Sequence, residues 1–133
     1  ENFSIFGVQG AIGDKDNKFI YSQKESLKLL SKAPKADILI SHCPPLGIND
    51  EEHSNSHRGS EGILNYIKKY EPLLVFHGHT YPEKDQEISF YNNTIIIYTH
   101  GYRILNIEDL EIEKLPKAKS YTPIRDKGFF DDF

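Results

Sequence analysis

Apolar residues fall along this chain in two rhythms. Between Ser60 and Tyr70, Ile63, Tyr66, Ile67 and Tyr70 sit at i, i+3, i+4 and i+7, one stripe down a predicted helix. Upstream, Ser22 and Glu25 have capping-box spacing, in which each side chain satisfies a free backbone N–H at a helix start. Leu27, Leu29 and Leu30 follow, and Pro34 stops that helix. Ile38–Ile40 and Leu73–Phe76 follow the second rhythm. They are short continuous apolar runs without polar alternation, the habit of strands covered on both faces in a layered α/β protein.

Phe3 to Ile12 alternates apolar residues with Gly7 and Gly10 and predicts one strand running into a loop. Asp14 to Lys18 reads as a polar turn, and Ser41 to Arg58 as a long polar loop rich in histidine. The order strand, loop, helix, strand makes a βαβ unit, whose crossover is right-handed in almost all known cases. Ile38–Ile40 and Leu73–Phe76 are therefore expected side by side and parallel. Beyond them the pattern changes. Glu87–Tyr91 and Thr94–Thr99 flank Asn92-Asn93, a pair that tolerates positive φ and suits a hairpin turn. Tyr102–Ile107 and Leu110–Leu115 flank Glu108-Asp109 and predict another antiparallel pair. In the last stretch, 116–133, Phe129, Phe130 and Phe133 interleave with Asp131 and Asp132, as in a docking peptide for a protein partner or a disordered end.

Composition narrows the classes. A chain of 133 residues allows one domain, and 38% hydrophobic with 27% charged residues excludes a disordered protein. A net charge of -4 argues against a general nucleic-acid binder. No run approaches the roughly 18 apolar residues of a membrane span. The single cysteine, Cys43, rules out an internal disulfide and fits a reducing, cytoplasmic setting. The chain has no methionine and opens at Glu1, which gives the expectation of a piece of a longer protein.

Of six histidines, three stand where chemistry is expected. His42 lies just past the first buried strand, and His77 and His79 at the end of the second. Parallel strands would bring His42 and His79 together at the carboxyl edge of the sheet, where α/β proteins bind ligands. Converging imidazoles suit zinc, manganese or iron, although two histidines alone do not complete a site. His77 is expected to face the other way as a structural residue, and His53 to be solvated; His100 is undecided. Cys43 is either a ligand or inert packing.

Ser41-His42-Cys43-Pro44-Pro45-Leu46-Gly47-Ile48-Asn49-Asp50, His57-Arg58-Gly59, His77-Gly78-His79 and the later Gly101-Tyr102-Arg103 together resemble the calcineurin-like metallophosphoesterases. The likeness covers about residues 1–113 and implies a layered α-β-β-α sandwich, of which this chain is the C-terminal half. Residues 1–115 would form that half-domain and 116–133 a tail. The implied activity is metal-dependent hydrolysis of phosphodiesters or phosphomonoesters. It would use two divalent ions (manganese, iron or zinc) in the complete domain and at most one in this chain alone.

By the same resemblance His42 and His79 are metal ligands, and Tyr81 occupies the place of a histidine that holds the other ion. His57 and Arg58 are the catalytic candidates, the Arg58 guanidinium suiting a phosphate oxygen. The remaining ligands would come from an N-terminal half, covalent, cleaved or separate. Tyr81 departs from the family pattern, because a phenol is a poor partner for divalent ions at neutral pH. It raises an alternative: a catalytically weakened relative that acts by binding or regulation.

Overall fold

The computed structural model describes residues 2–14, 16–51 and 53–107. The chain divides into one unit through Thr99 and a second from His100. The first unit is α/β, with a mixed central sheet and two helices.

Both helices start where the sequence places them. In α1 (Gln23–Ser31) the Ser22 hydroxyl accepts from the Glu25 N–H at 3.2 Å, and the Glu25 carboxylate accepts from the Ser22 N–H at 2.7 Å. In α2 (Glu61–Tyr70) Ser60 caps the N-terminus through the Ile63 N–H at 3.1 Å. The helices touch closely because Gly62 of α2 has no side chain. A Cβ there would lie 2.4 Å from the Ser26 carbonyl oxygen of α1.

The sheet contains β1 (Ile5–Val8), β4 (Ile38–Ser41), β5 (Leu74–His77), β6 (Ile88–Tyr91) and β7 (Thr94–Tyr98), in the order β1-β4-β5-β7-β6. All neighbours are parallel except β6 and β7, which form the hairpin expected at Asn92-Asn93. The expected adjacency of the two apolar runs is found, with Leu39 opposite Val75.

Register sorts the side chains onto two faces. Phe6, Leu39, Val75 and Ile96 form one row across the sheet and pack with Leu30, Ile63, Tyr66 and Ile67 of the helices. Ile5, Ile38, Leu74, Ile95 and Phe90 form a row on the opposite face. Toward the edges of that face Ile5, Ile40 and Phe90 stand 63%, 47% and 49% exposed. The expectation that Ile38–Ile40 is covered on both sides is thus corrected at Ile40. An unbroken apolar run shows that both faces are apolar, not that both are covered.

Two further expectations change. The strand expected within Phe3 to Ile12 runs into its loop at Gly10, whose φ of +91° turns the chain out of β1. Beyond it β2 (Ala11–Ile12) pairs in parallel with β3 (Ile20–Tyr21), two-residue strands too short to carry a periodic signal. Residues 102–106 form no strand; an alternating pattern needs a ladder partner, and its expected partner, Leu110–Leu115, lies outside the described residues. The boundary expected at 115–116 and the tail 116–133 lie outside them too. No helix of the described residues is long and apolar enough to cross a membrane.

Candidate functional site

The carboxyl ends of β4 and β5 are adjacent; β4 continues directly into His42, and β5 through Gly78 into His79. The Gly78 N–H donates to the His42 carbonyl at 3.1 Å, extending the strand pairing one step into the loops. His79 then adopts a left-handed backbone, φ +68°, uncommon for a residue with a side chain. Together these set the two rings against each other. His42 Nε2 lies 2.9 Å from His79 Nδ1, with ring centroids 4.6 Å apart.

The long loop 41–58 returns to the same place. Ser60 N–H donates to the Pro44 carbonyl at 2.8 Å, and Leu46 N–H to the Ser60 carbonyl at 3.0 Å. Gly59 permits this, since a Cβ would lie 2.3 Å from the Pro45 oxygen. The Gly59 N–H donates to Asp50 Oδ2 at 2.9 Å. This closure carries His57 to the pair: its ring centroid is 5.1 Å from that of His79, edge to face, and 6.4 Å from that of Tyr81.

Hydrogen bonds assign the protons. His79 Nε2 faces the Ser56 carbonyl, which only accepts, so Nε2 carries the hydrogen and Nδ1 offers its lone pair toward His42. Fixing one imidazole nitrogen on a carbonyl is how proteins select the nitrogen that meets a ligand. Burial, and then the neighbouring His79, hold His42 below the usual imidazole range, so it is neutral, with its Nε2–H donating to His79 Nδ1. His57 Nδ1 lies 3.2 Å from Glu51 Oε2.

The structure thus brings His42, His79 and His57 together. Tyr81 stands beside them at 70% exposure, with His57 as its ring neighbour. Arg58 follows His57, half-buried, and its carbonyl faces the Cys43 thiol at 3.4 Å. Cys43 itself is 2% exposed in the core, and burial pushes its thiol up to about 11, so it is packing rather than a ligand. His77 is 2% exposed and points away from the pair: Nδ1 donates to the Gly78 carbonyl at 3.0 Å, and Nε2 accepts from Asn49. Burial holds it down to about 4.

Sequence reasoning missed Glu51, the Ser56 carbonyl and the Asn49–His77 contact. Glu51 and Ser56 belong to no periodic or motif signal, and although Asn49 and His77 stand in quoted motifs, their contact is created by loop closure. Among the described residues no group of three or more His, Cys, Asp or Glu side chains is arranged to hold a metal ion.

No protein-family model matches this chain, and no curated protein does. A solved crystal structure is similar to it at 18% identity and a TM-score of 0.48, over 72% of this chain and 42% of that one. The chain therefore spans less than half the length of that neighbour, and a likeness this weak decides nothing about function.

Proposed function

We propose that this chain is the C-terminal half of a calcineurin-like metallophosphoesterase domain of the α-β-β-α type, hydrolysing phosphoesters in the cytoplasm once an N-terminal half completes the site. The observation that carries this reading is the convergence of His42 and His79 at the carboxyl ends of neighbouring parallel strands. The donor set suits one divalent ion: His42 Nε2 and His79 Nδ1 lie 2.9 Å apart, and an ion would replace the hydrogen of the bond between them, with carboxylate ligands still to be supplied from elsewhere. The apolar second face, exposed at Ile5, Ile40 and Phe90, supports a further sheet stacked on it.

His42 and His79 would hold one ion, and Tyr81 would stand at the second. Divalent ions in such a site supply charge neutralisation and lower the pKa of a water. This chain's other residues position and move protons. The Glu51 carboxylate orients His57 through Nδ1, leaving Nε2 to take or give a proton at the ester oxygen. The Arg58 guanidinium suits a non-bridging phosphate oxygen.

The test uses the full-length protein with manganese. His42→Ala and His79→Ala should each lower bound metal by elemental analysis and cut hydrolysis of bis-p-nitrophenyl phosphate by about a hundredfold, close to 3 kcal/mol. Unchanged metal content in both variants would remove the assignment. A second reading, a weakened relative that binds rather than hydrolyses, is favoured by Tyr81 in place of an imidazole. Metal binding without turnover in the wild type would select it.

A further inference from the structure

Beside the histidines lies a cleft of about 210 Å³, lined by Asn49, Asp50, Glu51, Thr80, Tyr81 and Gln86 among others. We infer that this cleft is a subsite for an ammonium-bearing alcohol, the non-phosphoryl portion of the substrate. The substrate role rests on the phosphoesterase reading above; the ligand chemistry is argued from the cleft itself.

Three features define that chemistry. Among the described residues, Asp50 and Glu51 are its charged lining residues, and no Lys, Arg or His lines it. Each carboxylate is anchored through one oxygen, Asp50 on the Gly59 N–H and Glu51 on His57, so the negative charge is fixed in place. Thr80, 1% exposed, lines the same cleft, and its buried hydroxyl has no hydrogen-bond partner among the described residues. An unpaired buried hydroxyl is costly, and a bound polar group that reached it would relieve the penalty. Tyr81 contributes a 70% exposed aromatic ring, and an aromatic face next to carboxylates attracts ammonium groups.

The same features exclude a phosphate here, since two carboxylates would repel it. A neutral polyol would use the hydroxyl and amides but leave the charge unanswered. The volume falls below the roughly 300–1,000 Å³ of drug-sized sites and suits a small head group. Position completes the argument. The Tyr81 ring is 6.4 Å from His57, and His57 is 5.1 Å from His79, so one small phosphodiester spans from the histidine pair into the cleft.

The experiment compares two substrates of the full-length manganese protein, p-nitrophenyl phosphocholine and p-nitrophenyl ethyl phosphate. The choline ester should be favoured in kcat/KM by at least about tenfold. Asp50→Asn and Glu51→Gln keep an acceptor for Gly59 and His57 but remove charge, and each should bring that ratio to within about twofold. Equal kcat/KM values in the wild type would overturn the subsite and leave the phosphoesterase reading standing. If neither ester is hydrolysed, that reading fails, and saturation-transfer NMR with choline chloride decides the cleft. Binding at roughly millimolar choline that weakens in Asp50→Asn supports the inference, and no binding up to about 50 mM overturns it.

Discussion

The side-chain amide of Asn49 donates to the buried Nε2 of His77 across 3.0 Å, while its own carbonyl accepts from the Ser89 hydroxyl at 3.2 Å. One residue of the long loop therefore fastens β5 to β6. Its backbone φ of +58° is one that asparagine and glycine tolerate best. Asn49→Gly keeps that backbone but strands the His77 acceptor. It should lower unfolding stability by about 1–2 kcal/mol in urea denaturation of the full-length protein. An unchanged midpoint would mean that the contact contributes nothing.

Acid should act through His77. Its folded value of about 4 lies below the ordinary imidazole value of 6.5, so the unfolded chain binds the proton first. The stabilisation from a neutral His77 is complete above pH 6.5 and is lost as pH falls toward 4, roughly 3 kcal/mol in all. His42, also held low by burial, acts in the same direction. Asp37, held low by its hydrogen bonds from Ser4, weakens the fold only in the more acidic carboxylate range. Denaturation midpoints measured between pH 7.5 and 4, with NMR titration of the His77 ring, check the window. A midpoint flat down to pH 4 contradicts it.

Gly62→Ala reverses a common rule. Alanine inside a helix normally stabilises by about 1 kcal/mol over glycine. Here the added Cβ meets the Ser26 backbone at 2.4 Å, so the helices must separate, and a net loss of about 1–3 kcal/mol is expected. Gly7→Ala, where nothing lies within 4 Å, is the control and should be near neutral. Thermal melting of both variants distinguishes the cases.

Tyr81→His tests whether the site is weakened. Neutral imidazole is a far better donor to divalent ions than a phenol hydroxyl. In the full-length protein with excess manganese, the histidine variant should gain metal occupancy and at least tenfold in turnover, near 1.4 kcal/mol. A wild type that already binds two ions, and turns over faster than the variant, would make Tyr81 part of a working site.

The exposed second face predicts self-association of residues 1–133 expressed alone. Ile40→Lys places a charge at a 47% exposed apolar position and should shift that chain from aggregate to monomer in size-exclusion chromatography. A wild-type chain that is already a clean monomer with sharp thermal unfolding would count against a missing partner.

Much of this was legible in sequence where one residue's type fixes its local role. Ser22 and Glu25 announce a helix start because both halves of their contact are three residues apart. Ile38–Ile40 and Leu73–Phe76 announce neighbouring strands because a helix lies between them. The meeting of His42 and His79 followed from that adjacency. The Glu51–His57 and Asn49–His77 contacts did not follow, since they depend on how a loop without periodicity closes over Gly59. Tyr102–Ile107 misled because alternation describes a surface, whereas a strand also needs a partner.

The strand order has a further consequence, for the path of folding. β6 joins the sheet through β7, which sits between it and β5, so the two must arrive as a preformed hairpin or β7 must dock first. β5 meanwhile waits with one edge unpaired, and the Thr99 N–H later donates to the His77 carbonyl at 2.8 Å, one step before the His79 bend. A nascent chain emerging from the ribosome only as far as Asn93 would hold His79 just beyond a strand with an open side, while His42 follows a strand already paired on both sides. Their alignment is thus completed by residues synthesised after them, and stalled or truncated products should lose the geometry before they lose the helices.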